Sequence, residues 1–144
     1  MIYTDQTKKA MRIAFDAHKE QTDKSGMPYI FHPFHLAEQM TDEVSVCVAL
    51  LHDVVEDTTI TFEDMTAQDI SADVIAALKL LTHDDSVPYF DYVQKIKDSK
   101  NQTAIVVKLA DLHHNSDTSR LETIDEKTTA RLEKYRTAIN ILSS

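Results

Sequence analysis

The stretch Val44-Ser45-Val46-Cys47-Val48-Ala49-Leu50-Leu51-His52-Asp53-Val54-Val55-Glu56-Asp57 joins an apolar run directly to a histidine and three carboxylates. Apolar at nearly every position, the run reads as a helix buried all round at the centre of a core. If the helix continues into its polar end, His52 and Glu56 stand at i and i+4, and Asp53 and Asp57 repeat the offset one step round. Such side chains are costly at the edge of a core unless something compensates them, and a divalent cation is the partner that best suits a histidine among carboxylates.

Working outward, the rest of the chain is punctuated like a set of helices. With one glycine and three prolines in 144 residues there are few tight hairpins, and the long stretches between them carry helical patterning, so the expected fold is all-α, a compact helical bundle. A first helix is expected from about Asp5 to Gln21, with Ala10, Ile13, Ala14, Ala17 and His18 on one stripe. The segment Thr22 to Pro28 is a loop, where Gly26 permits a positive φ and where Lys24 and Ser25 are suited either to grip an anion or simply to face solvent. Pro33 fits the first turn of a second helix and places His32 at its rigid entry, with His35 one turn further. Thr41 or Asp42 can cap the central helix, and Thr61 with Asp64 has capping-box spacing for a short helix beyond it. Ser71 or Asp73 starts the next, which stops near His83, and Pro88 opens another with Tyr89, Tyr92, Val93 and Ile96 inward.

A second, almost wholly apolar helix follows a cap at Asn101 or Thr103 and ends in Lys108-Leu-Ala-Asp111-Leu-His-His-Asn115. Asp111, Asn115 and Thr118 fall at i, i+4 and i+7, one face if the helix persists. Taken alone, Asp111 reads as a buried carboxylate paired with Lys108 or a histidine. The last helix, from about Thr123 or Asp125 to Leu142, is expected to turn Ala130, Leu132, Tyr135, Ala138, Ile139 and Leu142 inward and Lys127, Arg131 and Lys134 to solvent.

Composition bounds the function. At 42% hydrophobic the chain is sized for one domain, residues 1–144. Its one cysteine, Cys47, lies in the apolar run and has no partner for an internal disulfide, which suits a reducing compartment. The N-terminus lacks the apolar segment of a signal peptide and no stretch of about 18 apolar residues occurs, so a cytoplasmic protein without a membrane partner is expected. A net charge of −9 argues against a nucleic-acid partner. An anionic substrate would have to be held by a metal and a few local cations.

The fragments gain meaning as a set. Tyr29-Ile-Phe-His32-Pro, His52-Asp53-Val-Val-Glu56-Asp57 and Lys108-Leu-Ala-Asp111, in that order, resemble the HD-domain superfamily of metal-dependent phosphohydrolases. More narrowly, the chain is similar to the hydrolase domain of RelA/SpoT alarmone enzymes and their small stand-alone relatives, over nearly its whole length. The resemblance implies His32, His52, Asp53 and Asp111 as metal ligands and Mn²⁺ as the usual ion. By residue type alone a site of two imidazoles and two carboxylates also suits Fe²⁺, Zn²⁺ or Ni²⁺. It implies Glu56 and Asp57 as the acid pair that orients or deprotonates water, without saying which takes the proton. Lys24, Ser25, Asn115 and Thr118 are implied as substrate contacts, with Lys108 as a further candidate and Lys127 and Arg131 as looser ones.

The implied activity is removal of the 3′-pyrophosphate of guanosine 3′,5′-bis(diphosphate), (p)ppGpp, giving GDP or GTP and pyrophosphate, with no synthetase half expected. Three positions depart from the pattern: Asp23 stands where a basic residue often precedes the Lys24 equivalent, and Leu112 and Asp117 stand where the long enzymes tend to have arginines. Two other expectations remain open at this stage. One is an HD phosphohydrolase acting on another nucleotide or small phosphate ester, such as a nucleotidase or NADPH phosphatase. The other is a nucleotide- or metal-binding module without catalysis, which the intact set from His32 to Asp111 argues against.

Overall fold

A computed structural model describes residues 1–144 as nine α-helices and one short 3₁₀ turn, without a β-sheet. In chain order the helices are α1 Asp5–His18, α2 Phe31–Glu38, α3 Glu43–Leu51, α4 Val54–Asp57, α5 Phe62–Ala67, α6 Ala72–Leu81, α7 Tyr89–Ser99, α8 Gln102–Asn115 and α9 Glu126–Ser143, with the 3₁₀ turn at Thr118–Arg120 between the last two. The all-α expectation therefore holds.

Local chemistry starts most of these helices where the side chains dictate. Asp42 caps α3 by accepting from the Ser45 amide, Asn101 caps α8, Asp125 caps α9, and Thr61 with Asp64 forms a reciprocal capping box on α5. Each such cap stabilises a helix by about 1 kcal/mol, because it satisfies amides that have no partner within the helix. α3 is the hub. Residues Ser45 to Leu51 are all buried, and the helix packs on α1, α2, α6 and α8, which explains a sequence that is apolar on every side. α8 lies against α3 with Ala104, Val107 and Leu112 inward, and α9 closes over α7 and α8.

Three details differ from the sequence expectation. α1 ends at His18, not Gln21, because the chain turns back there: the Gln21 amide donates to the His18 carbonyl (2.9 Å) and the Gln21 side chain meets His18 Nδ1 (2.8 Å). In α9, Ala130 is exposed, and Thr128 is buried near the start of the helix instead. Most consequential, the central helix does not run on to Asp57. α3 stops at Leu51, His52 and Asp53 form a turn with Asp53 at φ −106° and ψ 1°, and α4 restarts at Val54. His52 Nδ1–H donates to the Ala49 carbonyl (2.7 Å), the acceptor that the Asp53 amide would use in a continuing helix. The expected i, i+4 stack of His52 with Glu56 is broken by this corner, while the Asp57 amide still donates to the Asp53 carbonyl (3.0 Å) at the start of α4.

Candidate functional site

That corner sits where α2 and α8 reach α3. His32, in the first turn of α2, and Asp111, one turn from the end of α8, join His52 and Asp53, so that one ligand atom from each of the four lies within 4.8 Å of the others. His32 Nε2 lies 2.8 Å from Asp111 Oδ1, and His52 Nε2 lies 3.0 Å from Asp53 Oδ2 and 3.4 Å from Asp111 Oδ1. Three of the four are buried and Asp53 is partly exposed.

The outer contacts fix how these groups face. His52 commits Nδ1–H to the Ala49 carbonyl, which leaves Nε2 turned to the carboxylates, and Nε2 is the one imidazole nitrogen of the four without a hydrogen-bond partner of acceptable geometry. His32 Nδ1 lies 2.7 Å from Nδ1 of His114, whose ring is parallel to it within 4°. Burial pushes the His114 imidazole down to about 4, with Arg120, His32 and His35 adding to the effect, so it is neutral and can accept the His32 Nδ1 proton. The Tyr29 hydroxyl donates to Asp53 Oδ2. Asp111 Oδ1 accepts from Asn115 Nδ2 (3.0 Å) and Oδ2 pairs with Lys108 Nζ (3.0 Å).

The electrostatics call for positive charge. Burial alone would disfavour a charged His52 imidazole, yet the carboxylates of Asp53 and Asp111 overcome it and hold its pKa well above 6.5. Burial would likewise raise Asp111, and Lys108 with the two histidines holds it well below the usual carboxylate range. Two buried imidazoles aimed at two carboxylates, each steered by a hydrogen bond from behind, form a donor set that fits a divalent cation.

Two cavities flank the cluster. The smaller, about 60 Å³, is lined by His52, Asp53 and Asp111 together with Glu56, Tyr89 and Lys108. Glu56 Oε1 accepts from the His83 amide, and burial followed by the nearby Asp53 charge raises its carboxyl above the ordinary 4.5, with the His83 bond working the other way. The larger cavity, about 350 Å³, is reached past His32 and Asn115 and is lined by Lys24, Ser25, Arg120 and Arg131. Asp57 points to this side, where its Oδ2 accepts from Gln21 (3.1 Å).

The sequence candidates thus separate. His32, His52, Asp53 and Asp111 come together, and Glu56 and Asp57 lie against them on different sides. Lys24 and Asn115 line the larger cavity; Ser25 does too, with its hydroxyl donated to the Arg120 carbonyl (2.9 Å). Lys108 faces the smaller cavity, paired with Asp111 beneath the rings of Tyr89 and Tyr92. Thr118 is not brought to either cavity: α8 ends at Asn115, so the i+7 face does not persist, and Thr118 is exposed in the 3₁₀ turn. His18 and His35 stay outside the cluster, His18 packed at a tilt against Tyr29 and His35 stacked on His114. Sequence reasoning assigned no part to Tyr29, Gln21, His114 or Arg120. Only Tyr29 and His114 carried a signal, each three residues from a ligand candidate, Tyr29 just ahead of α2 and His114 within α8.

Comparison with known proteins agrees with this architecture. The chain is 36% identical over 120 residues to the bifunctional (p)ppGpp synthase/hydrolase SpoT of Escherichia coli K12, an alignment covering 75% of this chain and 17% of that protein. It is 34% identical over 119 residues to a probable guanosine-3′,5′-bis(diphosphate) 3′-pyrophosphohydrolase of Synechocystis, covering 74% and 16%. The chain therefore spans about a sixth of the length of these curated relatives. A solved structure described as that of a metazoan ortholog of SpoT that hydrolyzes ppGpp superimposes with a TM-score of 0.75 at 25% identity, over 99% of this chain and 85% of the other. Residues 10–111 match the HD domain family, which takes in the whole four-residue cluster, and the chain belongs to that family.

Proposed function

We propose that this chain hydrolyses the 3′-pyrophosphate of (p)ppGpp, with His32, His52, Asp53 and Asp111 holding a divalent cation, Mn²⁺ ahead of Fe²⁺, Zn²⁺ or Ni²⁺. The observation that carries this reading is the convergence of four ligand atoms within 4.8 Å between an acid-lined small cavity and a cation-lined large one. Names borne by relatives that match three quarters of the chain supply the substrate class. When bound, the cation supplies Lewis-acid polarisation of a phosphoryl oxygen and makes a water more acidic.

The remaining work belongs to side chains. The small cavity has the volume of about two waters at roughly 30 Å³ each. Glu56 Oε1 is taken by the His83 amide, so Oε2 is the oxygen that accepts the proton as water attacks phosphorus. Its raised pKa brings it closer to the working pH of a general base. Asp57, tied to Gln21 on the other side, positions the wall of the larger cavity instead. Lys24, Asn115 and Arg131 there take the phosphates and the nucleoside, and Lys108 neutralises Asp111. The bond from phosphorus to the ribose 3′ oxygen breaks, releasing GDP or GTP and pyrophosphate.

The test is to offer Mn²⁺-loaded protein ppGpp, NADPH, nucleoside mono- and triphosphates and a generic phosphodiester. Pyrophosphate release from ppGpp is the expected result. Phosphate released from a different nucleotide would replace this reading with another HD phosphohydrolase activity, and binding without turnover would leave a non-catalytic module.

A further inference from the structure

The larger cavity contains a charge of the wrong sign for a phosphate site. Asp23 lies on the loop that carries Lys24 and Ser25, and it is part of the cavity wall. Its Oδ1 is used locally, accepting from the amides of Ser25 (2.9 Å) and Met27 (3.0 Å), while its backbone amide and carbonyl close the same loop around Gly26, at φ +79°. The carboxylate is thereby fixed in place, and its second oxygen, Oδ2, is free to face the cavity. Arg120 faces it from the 3₁₀ turn, with Nη2 3.9 Å from Asp23 Oδ2.

Arg120 is held from behind independently of Asp23. Its Nη1 donates to the His114 carbonyl at the end of α8 (2.7 Å), and its own carbonyl accepts from Ser25 Oγ (2.9 Å). At 3.9 Å the ion pair is a loose one between partly exposed groups, a geometry that contributes little to stability. A phosphate entering the cavity would meet a guanidinium already oriented, and a carboxylate competing for it.

We infer that Asp23 and Arg120 act together to set how much anionic charge the larger cavity accepts, with Arg120 as a phosphate contact and Asp23 as a built-in competitor for it. The inference rests on the phosphorylated-nucleotide reading above. It assigns the chain's unusual acid at position 23 a purpose: Oδ1 shapes the loop, and Oδ2 disfavours ligands carrying more phosphate charge than the neighbouring cations can match. A neutral side chain that keeps the Oδ1 acceptor separates the two roles, and Asn is that side chain.

The experiment measures the Kd of inorganic pyrophosphate by calorimetry, and the KM and kcat for ppGpp, in the full chain and three variants. Asp23→Asn is expected to tighten pyrophosphate and lower KM by about three- to fivefold, the size expected for freeing a guanidinium from a partly exposed ion pair. Arg120→Gln is expected to weaken both by about tenfold, as for loss of one charge-assisted hydrogen bond. In the double variant the gain from Asp23→Asn is expected to shrink below twofold, because the competitor has nothing left to compete for. The effects fall on Kd and KM, with kcat following neither. A pyrophosphate Kd within twofold of wild type in Asp23→Asn, or an undiminished gain in the double variant, overturns the pairing. Should the wild-type chain turn over no ppGpp, the hydrolase reading fails on its own, and the pyrophosphate cycle still decides the role of Asp23 and Arg120.

Discussion

The two cavities that meet at the His32, His52, Asp53 and Asp111 cluster are built in opposite ways. The smaller is walled mainly by helices packed on the core, and its cation, Lys108, lies partly buried beneath two tyrosine rings and paired with Asp111. The Tyr92 hydroxyl donates to the Leu81 carbonyl (2.5 Å), which ties α7 to α6 beside it. The larger is walled by the loop around Asp23, the 3₁₀ turn and the outer helix α9, and of its cations Arg120 is held by a bond to the His114 carbonyl at the end of α8. Packed elements hold groups to the tolerance that bond breaking needs, while loops accept substitution without disturbing the core. One chain can thus keep its chemistry fixed while its recognition varies.

Substitutions on the two sides should differ in kind as well as in size. At the shared cluster, Asp53→Ala is expected to abolish metal retention and lower kcat/KM by about 10³-fold or more, checked by metal analysis alongside turnover. On the small-cavity side, Glu56→Gln is expected to retain the metal and lower kcat by about 10²- to 10³-fold. The carboxylate must be ionised to act, and its pKa is raised above 4.5, so wild-type activity falls as the pH drops through that raised value, and the acid limb disappears in the variant. Asp57→Asn should cost much less; an equal loss would break the division between the two acids.

Behind the cluster, His114→Phe keeps a ring to stack on but removes the acceptor for His32, and should weaken metal affinity by about 10- to 100-fold, measured by competition with a chelating dye. The smallest effect is expected on the loop side. Lys24→Ala should raise KM for ppGpp about tenfold, as for loss of a charged hydrogen bond, with kcat close to wild type. A fall in kcat instead would move Lys24 from recognition to chemistry.

Much of the scaffold is legible from residue types because its determinants are local. An apolar run buried on all sides reads as a central helix, and Asp42, Thr61, Asn101 and Asp125 announce helix starts through side chains that bond amides three residues on. The break after Leu51 is different. It depends on an imidazole reaching a carbonyl three residues back and on a hydroxyl arriving from Tyr29, 24 residues away, and no periodicity encodes either. His32 and Asp111 are 79 residues apart, so the spacing within each helix cannot bring them together, and only the family resemblance suggested that they meet. Arg120 was invisible for a similar reason: its role depends on the position of the His114 carbonyl and not on any neighbour in sequence. Ala130 shows the converse error: the inward stripe of α9 runs through Thr128, Leu132, Tyr135 and Ala138, and Ala130 falls off it and is exposed.

The span of the cluster also makes metal loading a folding question. Its ligands come from α2, the corner after α3 and α8, and nothing holds them together in an unfolded chain. An ion that binds only the native arrangement stabilises it by about 2.7 kcal/mol when present at a hundred times its Kd. Melting temperature measured across a panel of divalent ions should therefore rank their affinities without any substrate, and a cell's supply of the preferred ion would govern how much of this chain persists folded as well as how fast it works.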